Sequence, residues 1–230
     1  MAATPSLSEL HRRLLPDVLA VGGAYPLALT GGYAVQAHGL VDRLSRDLQF
    51  ATENPEPLER IADAVRAGLE ERGWRVRALE AGPLAASLIV TDPVTGDGCE
   101  IDVLKEALWR PPVVTEYGLV LSLDDVVGTK VRALADRGLA RDLVDVRAAA
   151  ERWSHAELEE LGRRHAPDTF DLSDLRDRLA GAEWMDDSEF AAYGLDDHAI
   201  GELRRWAQAW ADDIAERLQE ATWDEDEDDG

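Results

Sequence analysis

A chain of 230 residues, 45% hydrophobic and 31% charged, is long enough to bury a core as one large domain or two small ones. Its 47 acids against 24 bases leave a formal charge of −23, which repels nucleic acid outside any local basic patch and suits solubility or a basic partner. No apolar run is long enough to span a bilayer, and Leu7–Gly23 is too interrupted by Glu9, Arg12, Arg13, Pro16 and Asp17 to read as a signal peptide. The lone Cys99 excludes an internal disulfide, so the expected compartment is a reducing cytoplasm.

The first predicted helix covers Ser6 to Val21, with Leu7, Leu10, Leu14, Leu15 and Val18 at helical spacing and Pro16 expected to kink or divide it. Pro26 to Thr30 is a short apolar strand. Gly31-Gly32 then turns the chain into a short helix from Tyr33, whose free N–H groups point back at the turn and suit an anion. A second strand runs through Asp47-Leu48-Gln49-Phe50. Leu58 to Arg72 is an amphipathic helix closed by Gly73, with Leu58, Ile61, Ala62, Val65 and Leu69 on one face. Trp74–Leu79 and Leu84–Thr91 read as strands, and the turn-rich Asp92–Gly98 leads into a strand at Cys99–Leu104.

Val113-Val114 follows Pro111-Pro112 as a strand candidate. Ser122 with Asp125 resembles a helix-capping arrangement ahead of a helix over Asp124–Arg137, which Gly138 ends. Further helices are expected from Arg141, over His155–Arg164 behind Ser154, over Asp171–Leu179 and Asp186–Tyr193, and over Asp196–Gln219. Trp153, Trp184, Trp206 and Trp210 fall in this stretch and are expected to pack its core. The acidic run Asp224–Asp229 is expected to be disordered.

The chemistry lies on two strands. In extended chain, residues i and i+2 share a face, so Asp47 and Gln49 project together, as do Glu100 and Asp102. Two carboxylates in the first spacing would hold a Mg²⁺ pair for nucleotidyl transfer, but Gln49 is an uncharged amide. Asp102 reads either as a functional acid or as an exposed edge-strand residue with Glu100 beside it. Lys130, on a largely apolar helix side, either snorkels or offers a point charge to phosphate. Arg137, Arg141, Asp142 and Asp145 read as a helix–helix ion network. His38 reads as a packing residue at least as well as a catalytic one, and Cys99 as a small apolar one. The five histidines show no metal-ligand spacing.

Gly31-Gly32 followed by Arg43-x-Ser45-x-Asp47-Leu48-Gln49-Phe50 resembles the N-terminal signature of the AbiEii/AbiGii-type nucleotidyltransferase toxins, within the DNA polymerase beta-like superfamily. Lys130-x-x-Ala133-Leu134-x-x-Arg137-x-x-x-Arg141-Asp142-x-x-Asp145 is similar to that family's second block. The resemblance implies an α+β fold: a mixed nucleotidyltransferase-type sheet flanked by helices, here over 1–120, and a helical region, here over 121–222; the acidic composition sets 223–230 apart as a disordered tail. The resemblance implies a metal site at Asp47 and Asp102, with phosphate contacts from Gly31, Gly32, Arg43, Ser45 and Lys130. It also implies Mg²⁺ or Mn²⁺ as cofactor, an NTP as substrate and, for a type IV toxin, a cognate antitoxin. The acceptor is not identified, and net charge disfavours RNA. The sequence departs from the family pattern where Gln49 replaces the second Asp. The alternative is therefore a catalytically degenerate relative acting as a nucleotide-binding or protein-interaction module, with Glu100 as a substitute ligand if activity survives.

Overall fold

In the computed structural model, residues 7–228 are described, with side chains as far as residue 220. The chain forms two compact units, 1–126 and 127–230. The expected disorder of 223–230 concerns residues whose side chains lie outside the described set.

The first unit opens with α1 (Glu9–Val21), capped by Ser8, whose hydroxyl accepts from the His11 backbone N–H. Pro16 stands inside α1 without dividing it. Proline removes a single helical hydrogen bond, and Leu14, Leu15 and Val18, buried on both sides of it, hold the segment in place. Next come β1 (Ala28–Thr30), α2 (Gly31–Ala37), β2 (Leu48–Thr52) and α3 (Leu58–Glu71). They are followed by β3 (Arg75–Ala81), β4 (Ala85–Thr91), β5 (Gly98–Lys105), β6 (Val113–Thr115) and β7 (Gly118–Val120).

Among the described residues these strands form one mixed sheet in the order β3-β4-β5-β2-β1-β7-β6. The central pair β2–β5 is parallel, as is β1–β7; the other neighbours are antiparallel. The sequence anticipates β6 but not its three-residue partner β7, which the turn at Gly118 (φ 94°) makes possible.

The period-2 pattern sorts the sheet into two faces. Leu48 and Phe50, Ala86, Leu88 and Val90, and Cys99, Ile101 and Val103 are buried with Leu14 and Val18 of α1 and Ile61, Val65 and Leu69 of α3. Each such large apolar side chain contributes about 1.5–3 kcal/mol on burial. The opposite face carries Asp47 and Gln49, Glu100 and Asp102, Ser87 and Ile89. β5 lies inside the sheet, third from one edge, so the edge-strand reading of Asp102 does not hold.

The second unit is helical. It comprises the length of α4 (Leu123–Arg137) beyond Val126, α5 (Ala140–Ala149), α6 (His155–Arg164), α7 (Leu172–Gly181), α8 (Asp187–Ala191) and α9 (Asp197–Asp228). Ser154 and Glu157 close a reciprocal capping box on α6. Along α9, Ile200, Leu203, Ala207, Trp210, Ala211 and Ile214 are buried at helical spacing. Glu159, buried on α6, accepts from Trp210 Nε1 at 2.9 Å and is paired with Arg217 at 2.6 Å. Trp184 corrects the expectation of a tryptophan core: it is 88% exposed. It sits in the one-turn helix Ala182–Trp184, which has no repeating face to bury. Among the described residues no helix is long and apolar enough to cross a membrane.

Candidate active site

Three segments converge on the open face of the first unit's sheet. The first is the β1–α2 turn. Gly31 takes a left-handed φ of 64°, and the cap residue Thr30 makes no side-chain cap bond to α2. A Cβ added at Gly31 would collide with the Gln49 side-chain amide, and one at Gly32 would lie 2.7 Å from Ser45 Oγ and 3.4 Å from Arg43 Nη1. Both glycines therefore exist for close approach.

The second segment is the irregular stretch from His38 to Asp47, which delivers Asp47 to the start of β2. His38 Nε2 lies 2.7 Å from the Leu121 carbonyl, a contact that holds the start of this stretch. Ser45 is buried and donates from Oγ to Asp47 Oδ1 at 2.8 Å.

The third segment is β5. Parallel pairing sets Gln49 beside Asp102, and antiparallel pairing sets Ser87 on the other side of Asp102. Gln49 Nε2 donates to Asp102 Oδ2 at 3.1 Å, and Ser87 Oγ donates to Asp102 Oδ1 at 2.6 Å. With its amide nitrogen on Asp102, Gln49 turns its carbonyl oxygen towards Gly31. Two carboxylates, an amide, two hydroxyls, a guanidinium and a glycine turn thus share one surface, the arrangement expected of a site that grips phosphate and a cation.

The comparisons with known proteins decide the family. The description "Nucleotidyl transferase AbiEii toxin, Type IV TA system" matches residues 13–213. The chain belongs to the AbiEii nucleotidyltransferase toxin family. Among solved structures, JHP933 from Helicobacter pylori is similar at 16% identity and a TM-score of 0.56, covering 98% of this chain and 100% of that one. MenT4, a nucleotidyltransferase toxin from Mycobacterium tuberculosis, is similar at 16% identity and a TM-score of 0.59, covering 89% of this chain and 82% of that one. At such identity the likeness speaks for the α+β fold. No curated protein matches the chain by sequence.

Within this AbiEii chain, Gly31, Gly32, Arg43, Ser45, Asp47, Gln49 and Asp102 come together in the first unit. Lys130 belongs to the second unit. There it is 7% exposed, with Nζ 2.8 Å from Asp145 and 3.7 Å from Asp142. Asp142 also takes Arg137 through two hydrogen bonds. The expected helix–helix network is real in Asp142, Asp145 and Arg137, and Lys130 stands at its centre.

Glu100 shares the Asp102 face but is exposed. Cys99 is buried, and burial pushes its thiol up to about 12, so it packs as a small apolar residue. Sequence reasoning missed Ser87, and its signal was available: it is the hydroxyl at the site-facing position of an otherwise apolar alternation, Ala86-Ser87-Leu88-Ile89-Val90.

Proposed function

We propose that this AbiEii-family protein transfers a nucleoside monophosphate from an NTP to an acceptor hydroxyl: the hydroxyl oxygen bonds to the α-phosphorus as the bond to the bridging oxygen of the β-phosphate breaks, pyrophosphate leaves and the hydroxyl proton passes to solvent, with one divalent cation held by Asp47 and Asp102. The parallel register that sets Asp102 beside position 49, two residues from Asp47 on the same face, is the observation that carries this reading. The donor set fits one cation of the magnesium type, which is commonly bound by one or two carboxylates together with substrate phosphates. It does not fit a second. Among the described residues no three acids, histidines or cysteines are grouped to hold a metal, and Gln49 offers Asp102 a hydrogen-bond donor where a bridging acid would offer charge.

When bound, the cation supplies charge neutralisation on the triphosphate and lowers the pKa of the attacking hydroxyl. The chain's own groups do the remaining work. Gly31 and Gly32 leave backbone bare for phosphate approach, Arg43 supplies a guanidinium beside Gly32, and Ser45 orients Asp47. The resemblance assigns Lys130 to phosphate contact, whereas the partners it has within its own unit are Asp145 and Asp142. The family's type IV system supplies the context of a toxin with a cognate antitoxin, and the charge of −23 weighs against RNA as acceptor.

A second reading is favoured by one contact. The Gln49 amide already satisfies Asp102 without any cation, as it would in a nucleotide-binding relative that has lost transfer. Incubation with each α-labelled NTP and Mg²⁺ or Mn²⁺ tests the two. Label transfer lost in Asp47→Asn and Asp102→Asn supports the transferase. NTP binding without transfer, unchanged by those substitutions, supports the binding module.

A further inference from the structure

A buried polar chain behind the site runs from α1 to Asp47. His11, on α1, is 5% exposed, and its Nδ1 lies 2.6 Å from the hydroxyl of Tyr33. Their rings meet edge to face at 5.4 Å. Tyr33, the first residue after the glycine pair, is 1% exposed and donates to the backbone carbonyl of Ser45 at 3.3 Å. Ser45 in turn donates to Asp47. Burial lowers the His11 pKa and raises that of Tyr33, and Asp47 acts electrostatically on both rings, which places all three in one neighbourhood.

A phenol has one hydrogen. If it goes to the Ser45 carbonyl, the imidazole must carry hydrogen on Nδ1 and donate to the phenol oxygen. The neutral Nδ1–H tautomer and the imidazolium both meet that need. The relay therefore holds in either protonation state and is a brace, not a switch. The segment it braces has no regular secondary structure of its own between His38 and Asp47.

We propose that His11 and Tyr33 are positioning residues that fix the Ser45 carbonyl and, through Ser45, hold the Asp47 carboxylate at the nucleotide site. This rests on the reading of Asp47 as a cation ligand. The protein contains its own control. Tyr117 lies 6.3 Å from Tyr33, is also buried, and its hydroxyl has no hydrogen-bond partner among the described residues. Tyr33→Phe and Tyr117→Phe delete the same atom from neighbouring rings; both hydroxyls lie near the stretch from His38 to Asp47, Tyr117 within reach of the Asp42 charge, but only that of Tyr33 is hydrogen-bonded to it.

The test uses the full chain, with Mn²⁺ binding followed by electron paramagnetic resonance in the presence of ATP and with amide hydrogen exchange at residues 43–47. Tyr33→Phe removes the hydrogen bond with His11 and the one to the Ser45 carbonyl; loss of the second predicts weaker Mn²⁺ binding and exchange at 43–47 faster by about threefold to tenfold, while Tyr117→Phe changes neither. His11→Asn, which places an amide nitrogen close to the position of Nδ1, should behave as wild type, and His11→Leu should behave as Tyr33→Phe. Equal effects of the two Tyr→Phe variants, or exchange at 43–47 unmoved by Tyr33→Phe, overturn the proposal. If wild type binds no Mn²⁺ with ATP, the metal reading of Asp47 fails, and with it the brace's role at a nucleotide site; faster exchange confined to Tyr33→Phe and His11→Leu would not restore it.

Discussion

The Gln49 amide donates to Asp102 across the parallel β2–β5 pair, at 3.1 Å. A carboxylate at position 49 would face Asp102 with like charge, and only a cation between them would make the pair favourable. Gln49→Asp should therefore melt lower than wild type without divalent metal and gain more from it. At a hundredfold excess over Kd, linkage is worth about 2.7 kcal/mol for the site so created. Thermal melts with and without Mg²⁺ read this directly. Transfer of label from NTP should rise in the same variant. A melt whose metal response equals that of wild type would show that position 49 is remote from any cation.

Gly31 makes a second, separable prediction. Alanine there meets two costs: about 1–2 kcal/mol for a left-handed conformation in a residue with a Cβ, and the collision of that Cβ with the Gln49 side chain. The second cost disappears when Gln49 is shortened. Gly31→Ala and Gln49→Ala should thus be non-additive in denaturant melts, the double variant losing less than the sum of the singles. Additive losses would place the Gln49 amide away from the glycine turn.

How far the sequence foretells this site depends on the range of the physics involved. Faces are local, so alternation alone put Asp47 with Gln49 and Glu100 with Asp102, and the structure keeps both pairs. Register between strands is not local. β2 and β5 pair in parallel with two strands and a helix between them in the chain, and nothing in the spacing says that residue 49 meets residue 102 rather than residue 100. The same limit hid His11, whose partner lies 22 residues on. Trp184 departs for another reason: it sits in a one-turn helix with no periodic face, so the helical spacing of Trp206 and Trp210 does not extend to it. The sequence marks Lys130 and its acidic neighbours separately; their union needs two helices packed together, which composition does not specify.

That union constrains how Lys130 variants are to be read. Removing the ammonium leaves Asp145, fully buried at its side chain, without this cation, and weakens the set around Asp142, which retains Arg137. Breaking a buried pair from one side costs about 3–5 kcal/mol. Lys130→Met should unfold at clearly lower urea, and its loss of activity would say little about phosphate contact. Lys130→Met combined with Asp145→Leu removes both charges and should recover most of that stability. If the paired variant is stable and still fails to bind NTP, the phosphate role of Lys130 gains support. If it binds NTP as wild type does, the lysine serves its helices alone.

The second unit carries a pH dependence whose sign follows from His155. Its ring stacks on Trp210 at 4.6 Å, and burial lowers its pKa below the ordinary 6.5, against the opposing pull of Asp213 and Glu159. Arg217, paired with Glu159, adds to the lowering. A histidine whose native pKa is depressed binds its proton more readily in the unfolded chain. Its stabilising share is complete above the unfolded value and is lost as pH falls from 6.5 towards the native one. Wild-type Tm should therefore fall between about pH 7.5 and about pH 5.5, and His155→Gln, which cannot titrate, should fall less. The difference between the two curves isolates this residue from His11, also lowered by burial, and from Asp92 and Glu157, whose lowered carboxyl pKa values place their effects at more acid pH. Parallel curves for wild type and His155→Gln would mean that the stacked ring takes up its proton equally in folded and unfolded chains.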